Sequence, residues 1–490
     1  MTSEHNDEAH LESLGYTQEL NRRMSGFSNF TMAFSVICIL AGGITSLQLG
    51  VCSVGGASIG IGWPLACVFS VCVALSMGQV ASAFPTAGGL YHWGSILGGR
   101  CAGWVTAWFN LAGLITVLSA INVGVYLFTL GWLTPYLGLK GDPGPLFQAL
   151  IVVLLTLSQA LLNHLGIRLT SILTDCSGYL IFAVASGLTV ALFYFAPSHD
   201  FLRLITITNY SGPAGGGVWP ATSHIPYLFL LGLLLPAYTI TGFDASAHTA
   251  EETRGAALAV PKAIITSVIT SSFFGWVMLV AIVLAIPDLA QGAAQGGNVF
   301  FWTMDQVLPG GLRLLLYVGI SISQYLCGLA TVTSASRMVY AFARDGGLPL
   351  SSKLKVVDER YLTPVAAIWT VAGLSVAFAL YTPVYSTITV VCTIFLYISY
   401  VLPICMGLLA YRRSWTRMGP WDMGGAYRVV AAVSVIGCVL LLYIGFQPPN
   451  EKAFWITLGA LVITAAIWFG LERRRFVGPP DALAEQRTAR

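Results

Sequence analysis

The sequence predicts an all-α polytopic membrane protein with twelve transmembrane helices, and three observations carry that prediction. Charged residues are only 9% of the 490 and hydrophobic types are 56%. The apolar residues gather into twelve long runs, and the basic residues alternate between the segments that join them. Soluble domains are roughly a quarter charged, and a soluble chain of this length divides into domains that each need a polar surface. There is too little charge here to build such surfaces. The solvent for most of the chain is lipid.

A helix needs about 20 apolar residues to cross the hydrocarbon. The qualifying runs are approximately 29–51, 61–84, 104–132, 146–163, 171–195, 225–250, 262–287, 312–340, 364–382, 385–409, 427–446 and 453–470. Only Thr382-Pro383 separates the ninth run from the tenth, and it acts as a hairpin breaker. Basic residues concentrate in cytoplasmic segments of membrane proteins. Placing both termini in the cytoplasm puts twenty of the 24 basic residues inside and leaves only Lys140, Arg203, Arg313 and Lys452 outside. An odd or miscounted set of helices would scramble this alternation. The expected location is therefore the plasma (inner) membrane, both termini cytoplasmic.

The chain divides into a cytoplasmic tail (1–28), spans 1–6 (29–250), spans 7–10 (262–409), two peripheral spans (427–470) and a second tail (471–490), all one membrane domain. The first twenty residues are polar and acidic, without the basic and apolar regions of a cleaved signal, so span 1 serves as its own membrane address. Residues 196–224, with SGPAGGGVWP, read as a flexible outer loop, and the charged inner loop 341–363 has room for a short surface helix. Cys38, Cys67, Cys72, Cys176, Cys327, Cys392, Cys405 and Cys438 lie inside apolar runs and read as buried small hydrophobes. No metal-ligand spacing occurs, so neither a metal nor another cofactor is expected. Partners are the bilayer and a small molecule, with no nucleic acid; the sequence does not fix an oligomeric state.

Glycine clusters inside a spanning helix need explanation, because that helix must satisfy its backbone hydrogen bonds internally. Span 1 carries Ala41-Gly42-Gly43-Ile44-Thr45-Ser46, and span 6 carries Pro236-Ala237-Tyr238-Thr239-Ile240-Thr241-Gly242-Phe243-Asp244. These are matching positions of two five-helix halves. Interrupted helices so placed point to a transporter site at the bilayer midplane. Unwound carbonyls can hold an ammonium and a half-helix N-terminus a carboxylate. The bland alternative is that such glycines only permit close helix packing.

An aspartate at a helix centre costs roughly 2.5–3.5 kcal/mol on insertion scales, so it faces a cavity or a partner. Asp244, His248 and Glu251 or Glu252 share one helix face. Asp244 and His248 are candidates to line the pathway or carry a proton. The two glutamates read better as a polar helix end paired with Arg254 or Arg337. Asp175, in the first turn of span 5, reads as interface-exposed. Thr331, Thr333, Ser334 and Ser336 make span 8 rich in hydroxyls that could face span 1 and hold a coupling ion.

LGYTQELNRRMS at 13–24, FPTAGGLYHWGS at 84–95, PAYTITGFDASAHTAEET at 236–253 and SRMVYAFARDGGLP at 336–349 resemble the amino acid–polyamine–organocation (APC) superfamily. Within it they are most similar to the amino acid/choline transporter family, which includes γ-aminobutyrate and choline permeases. The resemblance implies a leucine-transporter-like fold: two inverted five-helix repeats, spans 1–5 and 6–10, with helices 1 and 6 interrupted. It implies that Gly42, Gly43 and Ile44, flanked by Ala41 and Thr45, hold the substrate carboxylate. It further implies that carbonyls at Tyr238, Thr239 and Thr241, beside Gly242, hold the amine, that Tyr238 closes over substrate, and that Ser119 and Asn122 contribute from span 3. Proton-coupled relatives place a lysine in helix 5, whereas residues 171–195 contain neither Lys nor Arg. Sodium through the span 8 hydroxyls, a proton on Asp244 or His248, and uncoupled exchange all stay open.

The leading expectation is thus a secondary active permease for amino acids or small amines such as γ-aminobutyrate. A permease for choline, polyamines or other organic cations is the alternative, as is a sensor of the same fold that binds without flux. An enzyme is not expected: HExxH does not occur, and GxSxG appears only as Gly56-Ala57-Ser58-Ile59-Gly60, in the short link between two apolar runs, without the strand-to-helix turn that motif requires.

Overall fold

The computed structural model describes residues 2–138, 143–382, 384–480 and 485. Lys140, Pro383, Arg487 and Arg490, which entered the charge and hairpin arguments, lie outside them. Within the described residues every regular element is helical.

The chain opens with α1 (Thr2–Ser13), followed by the first membrane helix in three pieces, α2 (Gly26–Ile37), α3 (Gly42–Thr45) and α4 (Leu47–Val54). Then come α5 (Trp63–Ala83), the short α6 (Leu90–Gly98), α7 (Arg100–Leu137), α8 (Pro145–His164) and α9 (Ile167–Phe195). A second helix in pieces comprises α10 (Ile225–Gly232), α11 (Leu234–Thr239) and α12 (Ala245–His248). It leads into α13 (Ala256–Ala285), the short α14 (Leu289–Ala294) and α15 (Val299–Val307), and α16 (Gly310–Arg344). Last are α17 (Ser351–Leu354), α18 (Val365–Tyr381), α19 (Tyr385–Ala410), α20 (Ala426–Gly445) and α21 (Glu451–Ile467).

Ten helices among the described residues are long and apolar enough to cross a membrane, which makes this an integral membrane protein. Two further apolar helices, Ile225–Thr239 and Val365–Tyr381, are shorter. The first is cut by the uncoiled stretch 240–244; the second ends at Thr382. Burial sorts the helices. The window over α2 and α3 is 89% buried, whereas those over α8 and α21 are 22% and 11% buried. The interrupted helix is therefore central: α2 packs against α9, α13 and α16, while α7 and α19 pack on each other.

Several expectations need correction. Residues 196–224 are not a loose loop: Tyr210 donates its amide to Ser53 O and Trp219 donates Nε1 to Leu49 O, so the segment is folded over the end of α4. Asp175 lies well inside α9, not in its first turn, and accepts from Ser28 Oγ (3.0 Å) and Thr31 Oγ1 (2.7 Å). It ties α9 to α2. Cys176 is exposed and Cys72 and Cys405 are half-buried, because their helices turn those faces outward.

Candidate functional site

The two interrupted helices cross at their interruptions. In the first, uncoiling falls at Cys38–Ala41, ahead of the expected Ala41–Ser46, and Gly42–Thr45 re-forms one helical turn. Cys38 takes φ +26°, and its carbonyl accepts from both Ala41 N (2.8 Å) and Gly42 N (3.1 Å). The amides of Ile39 and Leu40 find no acceptor among the described residues, and Leu40 O accepts from Gln324 Nε2 of α16 at 3.0 Å. The second interruption is Ile240–Asp244, where Gly242 has φ +84°. The carbonyls of Thr239, Ile240 and Thr241 accept no hydrogen bond among the described residues. A buried backbone group normally has a partner. Here free donors on one helix and free acceptors on the other are held close together, which suits a ligand bearing both carboxylate and ammonium.

Two glycines make the approach possible. A Cβ on Gly42 would stand 2.9 Å from Thr239 Cα, and one on Gly242 would stand 2.4 Å from Val36 Cγ1. Gly43 instead faces Met278, at an ordinary 3.6 Å. The side chains of the second interruption are turned onto their own helix: Thr239 Oγ1 donates to Leu235 O and Thr241 Oγ1 to Tyr238 O. Their carbonyls are thus the groups left to bind.

On the face opposite the N-terminus, a cavity of about 370 Å³ opens beside Ile44 and Thr45, just past the first interruption, and stops short of Gly42 and Thr239. Ile44, Thr45 and Gln48 line it from the first helix, Gly124 and Phe128 from α7, Asn298, Phe300 and Phe301 from the α14–α15 segment, and Tyr385 from α19. None of its lining residues is an acid, a base or a histidine.

Asp244 does not line that cavity. Fully buried, it accepts from Tyr400 Oη (2.7 Å) and Asn110 Nδ2 (2.8 Å), and its Oδ2 lies 3.3 Å from His248 Nε2. Tyr400 Oη also accepts the Gly242 amide at 3.0 Å, so one hydroxyl joins the acid to the helix interruption. His248 Nδ1 faces the Ala87 carbonyl at 3.2 Å. A carbonyl only accepts, so Nδ1 carries hydrogen. A bond between Nε2 and Asp244 then requires one further proton shared by the pair.

Other expected residues lie elsewhere. Ser119 donates to Ser375 O of α18, and Asn122 bonds Thr156 and Gln159 of α8, so both face away from the crossing. Thr331 donates to Cys327 O on its own helix and Thr333 to Asn163 Oδ1 of α8; Ser334 Oγ has no partner among the described residues. These hydroxyls do not converge as a cation site would need.

At the face that carries the N-terminus, Glu252 takes a bidentate bond from buried Arg337, and Glu251 pairs with Arg344 of α16 at 2.8 Å. The first pairing is one of the two expected; the second replaces Arg254. The surrounding lattice escapes sequence reasoning altogether. Tyr16 donates to Asp345 Oδ2 (2.9 Å) while Arg344 Cζ stacks 3.8 Å over its ring; Tyr91 and His92 bond the same carboxylate at 2.9 and 3.0 Å. Met24 N bonds Glu252 O and Arg254 N bonds Met24 O, which pins the N-terminal segment across the base of α12. Burial pushes the Asp345 carboxyl up, but its bond to His92 and the nearby Arg344 charge win and hold it below its usual range. Glu251 is likewise held low against burial by Arg344 and the Ala87 amide. Asn110, Tyr400 and Tyr385 are the other residues missed; each sits in an apolar run where nothing local sets it apart.

A sequence profile describing amino acid permeases matches residues 24–469. The chain is 31% identical over 500 residues to the amino-acid permease BAT1 of Arabidopsis thaliana, covering 96% of this chain and 95% of that one. It is 27% identical to amino-acid permease 2 of Neurospora crassa, covering 98% and 90%. It is also 27% identical to a provisionally described polyamine transporter of Candida albicans, again covering 98% and 90%.

Proposed function

The chain belongs to the amino acid permease family, and from that premise we propose that it is a secondary active transporter whose cargo is an amino acid. Twelve spans arranged as two inverted five-helix repeats, in the plasma or inner membrane with both termini cytoplasmic, complete the reading. Uncoiled stretches in the first and sixth spans, crossing at Gly42 and Thr239, support the repeat.

The observation that carries the substrate class is the pairing of free backbone groups with an uncharged cavity. Free amides at Ile39 and Leu40 suit a carboxylate, and free carbonyls at 239–241 suit an ammonium. Choline or a polyamine would need a counter-charge, and the one acid nearby, Asp244, is already committed to His248, Asn110 and Tyr400. A zwitterion brings its own counter-charge. γ-Aminobutyrate and α-amino acids both qualify. Transport then follows alternating access, with the two interrupted helices rocking between a state open at the 370 Å³ cavity and one open to the cytoplasm.

The coupling ion we assign is the proton shared by Asp244 and His248, both fully buried and linked through Tyr400 to the Gly242 amide. The scattered span 8 hydroxyls give sodium no comparable site. Purified protein in proteoliposomes should accumulate labelled amino acid when the outside is acidified, with or without sodium. Asp244→Asn should keep exchange of internal for external substrate but lose pH-driven accumulation. Binding without any flux would favour the sensor instead, and accumulation that follows sodium would remove the proton assignment.

A further inference from the structure

Resting on the permease reading above, we infer that Tyr385 is the second half of the outer gate and sets the size of side chain that the carrier admits. The family resemblance assigns gating to Tyr238 on the sixth span alone. Tyr385 opens α19, on a different helix and far along the chain, and it lines the cavity beside Thr45 of the first helix.

Its contacts reach every wall that must close. Its hydroxyl is 2.5 Å from Thr45 Oγ1, the last residue of the turn that follows the first interruption. Its ring stands edge-on to Tyr238, with centroids 6.4 Å apart and planes at 89°. Its other edge rests on Gly124 of α7, where a Cβ would come within 3.2 Å of Tyr385 Cε2. The ring therefore spans from the wall helix α7 to both interrupted helices. The cavity it lines is rimmed by Gln48, Phe128 and Phe301; Gly42, Thr239 and the fully buried Cys38 do not line it.

A phenol suits this position for two reasons. The hydroxyl bond to Thr45 is neutral and worth only about 0.5–1.5 kcal/mol net, so it can break in each transport cycle. The flat ring, held between a glycine and a second aromatic, closes a gap whose width is set by the ring itself. Substrate side chains that point toward the cavity must fit under it. Tyr385 thus positions and selects; it supplies no charge to the ligand.

The test uses the full chain in proteoliposomes, with uptake of alanine, γ-aminobutyrate, leucine, phenylalanine and arginine by wild type, Tyr385→Ala, Tyr385→Phe, Thr45→Val and the Thr45→Val/Tyr385→Phe pair. Tyr385→Ala should admit amino acids larger than the wild-type limit and raise KM for the small ones, with kcat retained. Tyr385→Phe should leave the size limit in place and raise KM roughly twofold to tenfold, the worth of one neutral hydrogen bond. Thr45→Val should match it, and the pair should be no worse than either alone. An unchanged size limit in Tyr385→Ala, or additive effects in the pair, overturns the assignment. If Tyr385→Ala is not monodisperse, the Thr45/Tyr385 cycle alone decides. A substrate-free readout separates this inference from the permease reading. A membrane-impermeant thiol reagent applied outside should modify Cys38, mapped by mass spectrometry, roughly twofold to tenfold faster in Tyr385→Phe than in wild type. Equal rates overturn the gate whatever the cargo is, whereas faster labelling with no uptake of any amino acid by wild type overturns the permease reading and leaves the gate.

Discussion

A Cβ on Gly42 would press on the Thr239 backbone at 2.9 Å, whereas one on Gly43 would meet Met278 Cε at 3.6 Å. Backbone cannot step aside, and a methionine terminus can. Overpacking a tight contact costs about 1–3 kcal/mol, and each 1.36 kcal/mol is a factor of ten in rate. Gly42→Ala should therefore cut uptake about fivefold or more in protein that still elutes as a single species, and Gly43→Ala should stay within about twofold of wild type. Equal losses would mean that the contact at Gly42 does not bear on transport. The same reasoning singles out Tyr400. Tyr400→Phe removes both the donor to Asp244 and the acceptor for the Gly242 amide, which strands two buried groups at about 1–3 kcal/mol each. Thermal unfolding in detergent should fall by several degrees, more than for Tyr397→Phe, whose hydroxyl meets only neutral partners, Ser70 and, at 3.5 Å, Ala237 O. The glycine pair is legible in the sequence as a place where a helix breaks. Which glycine touches the partner helix is not legible, because that depends on how two distant segments cross. Asp244 is legible for the same reason as the glycines: it violates a rule of its surroundings. Tyr400 and Asn110 violate none and stay hidden.

Among the elements, the N-terminal segment departs furthest from expectation. Read from composition, residues 1–28 are a polar tail. In the structure Leu11, Leu14, Tyr16, Leu20 and Met24 are buried, and Gln18 and Arg22 donate to carbonyls of residues 250–253. The segment straps α12 to α16 at the face we assign to the cytoplasm. An element that bonds to both sides of a seam must leave before the seam opens. Tyr16→Ala removes the ring under Arg344 and the bond to Asp345. It should favour the cytoplasm-open state, read as at least a threefold faster labelling of Ala247→Cys from the inside, with outward labelling of Cys38 reduced. Acid should act on the same seam. Because Glu251 and Asp345 are held below their ordinary values, their ion pairs stabilise the closed seam above the ordinary carboxyl range of about 4. That stability is lost as pH falls through the lowered folded values. Melting temperature should therefore be flat near neutrality and drop below about pH 4, and Glu251→Gln should start lower and show a shallower acid limb. A wild-type drop centred near pH 6 would point to histidine instead. Nothing in residues 1–28 alone marks them as a strap, since every partner lies on another element.

For the whole molecule, the number of crossings is the point on which hydropathy and charge give different answers. Length and composition qualify ten helices among the described residues; the two short ones are the interrupted Ile225–Thr239 and Val365–Tyr381. A helix of 17 residues covers about 25 Å at 1.5 Å per residue, slightly less than the roughly 30 Å of hydrocarbon. For the sixth run the deficit disappears once 240–244 and α12 are counted, which extend the segment from Ile225 to His248. Suppose instead that both short helices fail to cross. Parity is restored after α18, so the termini stay where they are, but everything from 251 to 363 changes sides. Arg254, Lys262, Arg337, Arg344, Lys353, Lys355 and Arg360 would then move outside and only Arg313 would come in. The split of basic residues would fall from 20 inside and 4 outside to 14 and 10, losing most of the asymmetry that orients membrane helices. Lys452 is outside under either count, so it serves as the control. With an impermeant maleimide on intact cells, Lys452→Cys should label at once and Arg360→Cys only after permeabilisation. Immediate labelling of Arg360→Cys would reduce the count to ten, detach the sixth run from the midplane, and take with it the inverted repeat in which the two interruptions correspond.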